Sequence, residues 1–500
     1  MKRKLCMLFS LLFAFSLTAG CGGGADVPSE SSQKEVEYET PEILDITVRE
    51  DATFENVDGC FVETRSDFLE LGYPGWDGEM LQADAFPALT ETLKVLEEDL
   101  LFRQIEEHKF LMETAPYSTD EEIYFRSNTV VTRNDSIAVS FYRHIDYYDG
   151  YGGQEWHAMN IDPETGQELQ MEDVFTDVDG LVVLLAEELQ KAYPYLQEES
   201  ELAELIATIY DEEMEFALSY GFVHFFFQEY TLPYAIDGHH VVLSLAEYPE
   251  LVQGRYCTIP ESYMLELEYD TDVLTENGNC LRMGWDMDEE WSESIIWNMA
   301  VNGEAYTEEF YNYAPQTCYL IHKNSRDYLY LHEPAGDISK ATNVYEVRSS
   351  VKKLGRPDMG MHSLVNLNPD RMLMDLNDML FMEDMHFIPY GIFTVGNDGF
   401  PVSVKGSEYG ITGTPVVAKE TFRIYMTDPK DASVEEGFTT VAGKLPLEAF
   451  RTDMETYMDF LTEDGRAIRL TIDGWHDEMK LYGGDALTDV IEADSDYFEW

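Results

Sequence analysis

After Pro87, Leu89, Leu93, Leu96 and Leu100 recur at spacings of four, three and four, with Glu91, Glu97 and Glu98 between them and Glu106 beyond. That period stacks the leucines on one side of an α-helix and turns the acids outward. Upstream, residues 43–63 alternate weakly and predict short strands. Downstream, residues 124–132 and 136–142 are rich in β-branched and aromatic side chains, and Arg133-Asn134-Asp135 between them is a turn signal, which together predict a hairpin. A helix is expected to start near Leu181, and residues 202–220 read as a second, acidic amphipathic segment. The run Phe222 to Phe227 is too short and too aromatic for a helix and is apolar on both faces. It predicts a buried strand that shares a sheet with the 131–142 hairpin, one face covered by the Leu181 helix and the other by neighbouring chain. Val241 to Leu245 follows as the next strand after a turn near Asp237-Gly238.

Toward the end, Glu463 to Leu470 reads as a hairpin on a tight Asp464-Gly465 turn. Alternation on either side of it suggests a small closed β-barrel of SH3-like type from about Ile411. Short strand pairs in 256–410 fit a sheet sandwich or a few propeller-like blades, without a fixed-period repeat. The expected fold class is α+β and multidomain, with a mixed sheet-plus-helix N-terminal half and a mostly β C-terminal half. A chain of 500 residues exceeds what one core usually organises. The divisions expected are 1–20 as a signal peptide, 21–40 as a flexible tether, 41–130 as a companion α+β domain, 131–255 as a central domain, 256–410 as a β-rich domain and 411–500 as the barrel-like unit.

Charge changes this picture more than composition does. Lys and Arg total 32 against 98 Asp and Glu, a formal net charge of −66. So negative a surface repels phosphate backbones and anionic lipid, which argues against nucleic-acid binding and leaves cationic proteins and metal ions as what it attracts. Lys2-Arg3-Lys4, the apolar run Leu5 to Leu17 and the small residues Ala19-Gly20 precede Cys21. The segment resembles a bacterial lipoprotein signal, although Thr18 stands where that class more often has Leu. The resemblance implies that Cys21 becomes the acylated N-terminus and anchors the chain in the lipid bilayer at the extracytoplasmic face of a bacterial cell membrane. Gly22-Gly23-Gly24 and the polar stretch to Glu39 then act as the tether. Of six cysteines, Cys60, Cys257, Cys280 and Cys318 are spaced too widely and irregularly to predict a disulfide framework.

Between Val131 and Leu245 a further pattern emerges. Ser140-Phe141 leads to Tyr151-Gly152-Gly153, then to His157, to Asp162 with a Thr165-Gly166 turn, and to Met171-Glu172-Asp173-Val174-Phe175. The block closes on Phe225-Phe226-Phe227 and on Tyr234-Ala235-Ile236-Asp237-Gly238. In this order and spacing it resembles the extracellular domain, of unknown function, shared by the lysozyme-sensing anti-sigma factor RsiV and PdaC-type peptidoglycan deacetylases. The family pattern continues from the glycines to Ala-His, whereas here Gln154-Glu155-Trp156 intervenes. The resemblance marks Gly152, Gly153, His157, Asp162, Gly166, Tyr234 and Gly238 as structural positions and implies a sensor or binding domain. In the anti-sigma relative the partner is lysozyme, a cationic protein. The region after Gln253 carries neither a deacetylase nor a sigma-factor module and is similar to the C-terminal region of gut-clostridial lipoproteins.

Catalytic patterns are sparse. No His-x-x-x-His occurs, His239-His240 are adjacent and project differently, and no CxxC, nucleophile elbow or Walker loop is present. Asp177-x-Asp179-Gly180 fails both ends of a calcium loop, with Phe175 and Ala186 at the chelating positions. Asp286 to Glu290 reads as a solvated acidic loop. No cofactor, metal or catalytic residue is therefore expected, and the function expected is binding or sensing, of a lysozyme-like protein or of peptidoglycan. A cell-wall glycan-modifying enzyme or accessory subunit, and a structural surface protein, are the alternatives. Tyr147, Tyr148, Tyr151, Glu155 and Trp156 are the expected partner-binding residues, because aromatic rings clustered near an acidic turn suit both protein hot spots and sugar platforms.

Overall fold

The computed structural model describes residues 38–57, 59–72, 82–118, 122–198, 201–209, 214–232, 238–245, 247–267, 272–275, 277–287, 294–310, 317–333, 341–362, 365–377, 380–382, 385–413, 415–419, 422–427, 434–441, 444–462, 465–472 and 491–493. Cys21, Tyr234 and Asp464 lie outside these residues, as do Asp288, Glu289 and Glu290.

The weak alternation at 43–63 becomes two long antiparallel strands, β1 (Ile46–Val57) and β2 (Cys60–Leu71), with Gly59 at φ +98° in the turn between them. β2 then runs parallel to β3 (Glu122–Asn134), and a parallel neighbour requires a crossover. Helix α1 (Pro87–Thr114) supplies it. Pro87 occupies its first turn, where the missing N–H costs nothing, and Pro116 just beyond its end cannot continue it. Leu89 and Leu93 reach one core with Ile46 and Leu69, while Leu111 packs with Val62, Ile123 and Phe125 in another. β4 (Val139–Tyr148) and β5 (Gly152–Ile161) complete the sheet, with the short strand Val365–Asn366 laid on the free edge of β1.

The predicted hairpin is present, but its turn falls at 135–138 rather than 133–135: Arg133 and Asn134 still belong to β3, opposite Ser140 and Val139, and the start of the turn is buried. Arg133 donates from Nε to Asp135 at 2.9 Å and from its two terminal nitrogens to the carbonyls of Tyr256 and Thr258. Asp135 in turn accepts from the backbone N–H groups of Ile137 and Ala138. A fully hydrogen-bonded ion pair is the form in which such charges tolerate removal from water.

α2 (Met171–Val174) and α3 (Val178–Ala192) follow. Asp177 caps α3 by accepting from the N–H of Gly180 at 3.0 Å, so the would-be calcium loop is a helix start. The segment 202–220 divides into α4 (Leu202–Ile209) and the strand β6 (Met214–Leu218). The division has a physical cause: Phe216 and Leu218 enter the core under α3 while Ala217 between them faces Tyr142, a period of two that no helix satisfies. β6 pairs with β7 (Phe222–Phe227), and β7 with β8 (His239–Ser244).

All six residues of β7 are buried. Val223, Phe225 and Phe227 pack beneath α3 and α4, and Phe226 packs on Tyr142 of β4. Both faces are covered as expected, yet β7 and the β3–β4 hairpin lie in two stacked sheets rather than one. Hydrogen bonding explains the correction. β4 already sits between β3 and β5, and β7 between β6 and β8, so neither has a free edge for the other.

Among the described residues, the regular structure of the C-terminal half is almost entirely strands. One four-stranded sheet runs from Asp272–Leu274 to Glu304–Phe310, and a five-stranded sheet joins Tyr263–Glu266 with four strands between Thr317 and Gly355. A third, larger sheet spans Met359–Met361 to Ile491–Ala493. The strands from 411 onward are thus not sequestered in a barrel of their own: Tyr390 pairs with Gly410, and the division at 410/411 falls inside the strand Tyr409–Gly413. The division at 130/131 likewise falls inside β3. Cys60, Cys257 and Cys318 are free thiols.

Candidate functional site

The β4–β5 hairpin carries most of the residues expected to bind a partner, and strand geometry distributes them. Successive side chains point to opposite faces. Tyr147, Glu155 and His157 therefore lie on the face that α1 covers, Tyr148 and Trp156 on the other, and Tyr151 stands alone at the tip, 86% exposed. The five candidates do not form one surface.

Around the tip, the N–H of Tyr151 donates to Asp149 Oδ1 at 3.0 Å, and Gly150 takes φ +103°. The ring of Tyr147 lies across Gly153 so closely that an added Cβ would clash with its hydroxyl. A Cβ on Gly152 would meet the edge of Tyr148 more loosely, at 3.5 Å. Tyr148 pairs with Tyr124 on β3, their ring centroids 6.1 Å apart.

Trp156 belongs to an aromatic stack between the two sheets. Its indole lies 4.2 Å from His144 and 5.2 Å from Phe226, both near-parallel, with Tyr142 at 5.9 Å. Gly238 allows the fit, since a Cβ there would come within 2.8 Å of the indole nitrogen. His240 stacks on Phe226 at 4.6 Å and meets His224 through a 3.1 Å nitrogen–nitrogen contact. Burial draws the His224 imidazole down to about 4 and lowers His144 as well, so both are neutral packing groups at pH 7. The outer edge of β5 is sealed by side chains rather than by another strand. Gln228 accepts from the N–H of Trp156 at 3.0 Å and donates to its carbonyl, Glu229 accepts from Gln154 N–H at 2.8 Å, and Glu215 accepts from Ala158 N–H.

His157 is the contrasting imidazole. It is half-exposed and lies 3.2 Å from Glu155 and 3.4 Å from Glu215. Hydrogen bonds to Glu155 and then Glu215 hold it up to about 9, so it is a cation at pH 7. Glu155, hydrogen-bonded to His157 and Arg103, is held down to about 2 against the opposing effect of burial. The Arg103 guanidinium of α1 lies 3.0 Å from Glu155 and over the ring of Phe125. Together these groups tie α1, β5 and β6 at one seam. Beside it opens a cleft of about 310 Å³ lined by His157, Glu168, Glu172 and Glu215 over Met171 and Phe216. Burial, with Glu215 nearby, raises the Glu168 carboxyl.

The remaining positions marked by resemblance build turns. Asp162 accepts from the N–H groups of Glu164 and Thr165, and Gly166, at φ +67°, lies against α1, where Thr92 donates to its carbonyl at 2.7 Å. Two buried His–Asp pairs occur in the C-terminal half, His322 with Asp327 and His362 with Asp375, each imidazole stacked on a tyrosine. Among the described residues no group of three or more His, Cys, Asp or Glu is placed to hold a metal ion, and no helix is long and apolar enough to cross a membrane.

The sequence reading missed a feature of α1. Away from the leucine face it exposes Val95, Leu101, Phe102, Ile105 and Phe110, spread around the rest of the helix. The signal was present, because apolar residues recur along 87–114 in too many phases for a single stripe.

No protein-family model matches the chain, and no curated protein matches it. Among solved structures it is similar to a DUF3298 family protein from Pseudomonas aeruginosa PAO1 and to a member of that family from Bacteroides fragilis NCTC 9343. Each likeness has 13% identity and a TM-score of 0.29 and covers 43% of this chain, with 97% and 96% of the respective neighbours covered. DUF denotes a domain of unknown function, and neither likeness extends to activity or ligand.

Proposed function

We propose that the chain is a cell-envelope lipoprotein that binds or senses a cationic protein of lysozyme type, without chemistry of its own, held at the extracytoplasmic face of a membrane by acyl chains on Cys21. The observation that carries this reading is the charge of the surface. Acids outnumber Lys and Arg 98 to 32, and Arg49, Arg65, Arg103 and Arg126 already lie against carboxylates. Those cations are neutralised locally, and the acid excess is carried to solvent, where its field speeds encounter with a basic partner. A second reading, binding of cell-wall glycan, is favoured by Tyr151, whose exposed ring at the hairpin tip is free to stack on a sugar face.

The experiment is to incubate the full chain with lysozyme and, separately, with purified peptidoglycan, measuring complex formation and released sugar or acetate. Expected is a lysozyme complex whose association rate falls as salt shortens the Debye length from ~30 Å at 0.01 M to about 8 Å, while a complex persists at physiological salt. Loss of all binding there reduces the contact to nonspecific charge pairing, and release of sugar or acetate makes the protein an enzyme. Cys21→Ala should move the chain from the membrane fraction to the medium. Retention in the membrane refutes acylation as the anchor.

A further inference from the structure

A groove opens where the start of the N-terminal region meets the C-terminal half. One hollow of about 500 Å³ lies among Pro260, Ser262, His322, Lys323, Ser325 and Asp370. It shares Thr40, Pro260, Glu261 and Ser262 with a neighbouring hollow of about 330 Å³ that reaches Ile43. Each falls within the ~300–1,000 Å³ of small-molecule sites, which gather where parts of a fold meet. One wall is a hairpin turn. Lys323 pairs with Arg326, so Asn324 and Ser325 form a two-residue loop with both φ values positive, 52° and 57°. The hairpin between Val301 and Glu304 makes its own two-residue turn with Asn302 and Gly303. Glycine is favoured at that second position because a Cβ there is crowded. Ser325 accepts the crowding, and both Asn324 and Ser325 line the groove. Strain kept where glycine would relieve it is the mark of a side chain with a use.

The rest of the lining selects the ligand. His322 is buried and hydrogen-bonded through Nδ1 to Asp327 at 2.7 Å, and the second oxygen of Asp327 accepts from Asn277 at 2.9 Å, so the floor is held rigidly. Lys323 and Asp370 neutralise one another, the ammonium also donating to Thr394. Ser262 donates to the other oxygen of Asp370 at 3.2 Å, which leaves the serine oxygen able to accept. An ionic ligand would have to break the Lys323–Asp370 pair. A neutral ligand rich in hydroxyls instead finds acceptors in Asp370 and Ser262, mixed donors and acceptors in Thr40, Asn324 and Ser325, and an apolar wall in Ile259 and Pro260. Two adjoining hollows suit a chain of such units better than a single one. We propose that this groove binds a neutral saccharide chain. The proposal rests on the second reading, binding of glycan, and moves the main contact from Tyr151 to the junction of the two halves.

The probes are tri-N-acetylchitotriose and cellotriose, neutral chains with and without acetamido groups, and dialanine as a zwitterionic control. Each is titrated into the full chain carrying Cys21→Ala, which keeps acyl chains out of the assay, and is followed by ligand-observed NMR. Expected is saturable binding of a trisaccharide, at least tenfold weaker in Asn324→Gly with Ser325→Gly. The thermal midpoint should not fall, because glycine suits both φ values. Ser262→Ala should weaken the same trisaccharide. The proposal is overturned if the parent leaves both trisaccharides free, if dialanine binds in their place, or if the double glycine variant binds as the parent does. Retention on purified peptidoglycan separates the two levels. Equal retention of parent and double variant removes the groove and leaves glycan binding at Tyr151, whereas trisaccharide binding in the groove without retention on peptidoglycan leaves the groove and removes the cell-wall reading.

Discussion

Trp156 and Tyr151 stand five residues apart on one hairpin and have opposite roles. Trp156 is stacked among His144, Phe226 and Tyr142, whereas Tyr151 touches little. Trp156→Ala should lower unfolding stability by about 2–3 kcal/mol in urea titration, less than the full cost of emptying a core site because the indole is only partly buried. Tyr151→Ala should stay within about 0.5 kcal/mol. Equal effects would mean that the stack is not a core. His157 offers a test through pH. Its folded value of about 9 lies above the ordinary 6.5, so its stabilising contribution is complete below about pH 6.5 and is lost as pH rises through about 9. Glu155 acts in the other direction: held at about 2 rather than 4.5, it contributes fully above about pH 4.5 and loses that contribution as pH falls toward 2. Both are complete between about pH 4.5 and 6.5. Because the imidazole is half-exposed, solvent screening keeps the effect well below the full linkage value. Between pH 6.5 and 9.5 the urea midpoint of the parent should fall relative to that of His157→Gln, and parallel curves would show that the seam does not depend on this proton.

At the scale of elements, local patterns were legible and edges were not. The leucine period gave α1, the β-branched runs gave the β3–β4 hairpin, and the aromatic-rich FVHFFF gave a strand covered on both faces. Which strands would lie side by side was hidden, because pairing depends on edges left free by residues far away in sequence. The candidate site suffered from the same limit. Tyr147 to Trp156 reads as one acidic aromatic cluster in sequence, while the period of two sends Tyr147 and Trp156 to opposite faces, and Glu215, Gln228 and Arg103 join it from distant elements. The seal on β5 is such a feature. The Gln228 amide engages both the N–H and the carbonyl of Trp156, as a neighbouring strand would, and so blunts an edge otherwise open to pairing with another chain. Gln228→Ala should cost about 1–3 kcal/mol for the unsatisfied groups and speed amide exchange at Trp156. Unchanged exchange would show that the edge is protected by other means.

At the scale of the molecule, the two halves meet in a shared core. Leu44, Ile46 and Leu69 from the N-terminal sheet pack in one cluster with Tyr319, Tyr330, Met372 and Phe393 from the C-terminal half. The strand Val365–Asn366 extends the sheet at β1, and Asp45, buried, accepts from Asn368 at 2.7 Å and lies 3.3 Å from the Arg371 guanidinium. Cutting the chain after residue 255 would leave the Asp45 carboxylate without Asn368 and Arg371 and would open one side of the Ile46 and Leu69 core to water. Losing a charge partner from a buried site costs about 3–5 kcal/mol, and exposing several large apolar side chains adds about 1.5–3 kcal/mol each. The sum is comparable to the 5–15 kcal/mol that holds a typical domain folded. Residues 38–255 alone should therefore show no cooperative thermal transition and should bind a hydrophobic dye, whereas the full chain should melt without a separate transition for this region. A cooperative transition in the fragment, near the midpoint of the full chain, would show instead that the shared core is only a contact surface between independently stable halves.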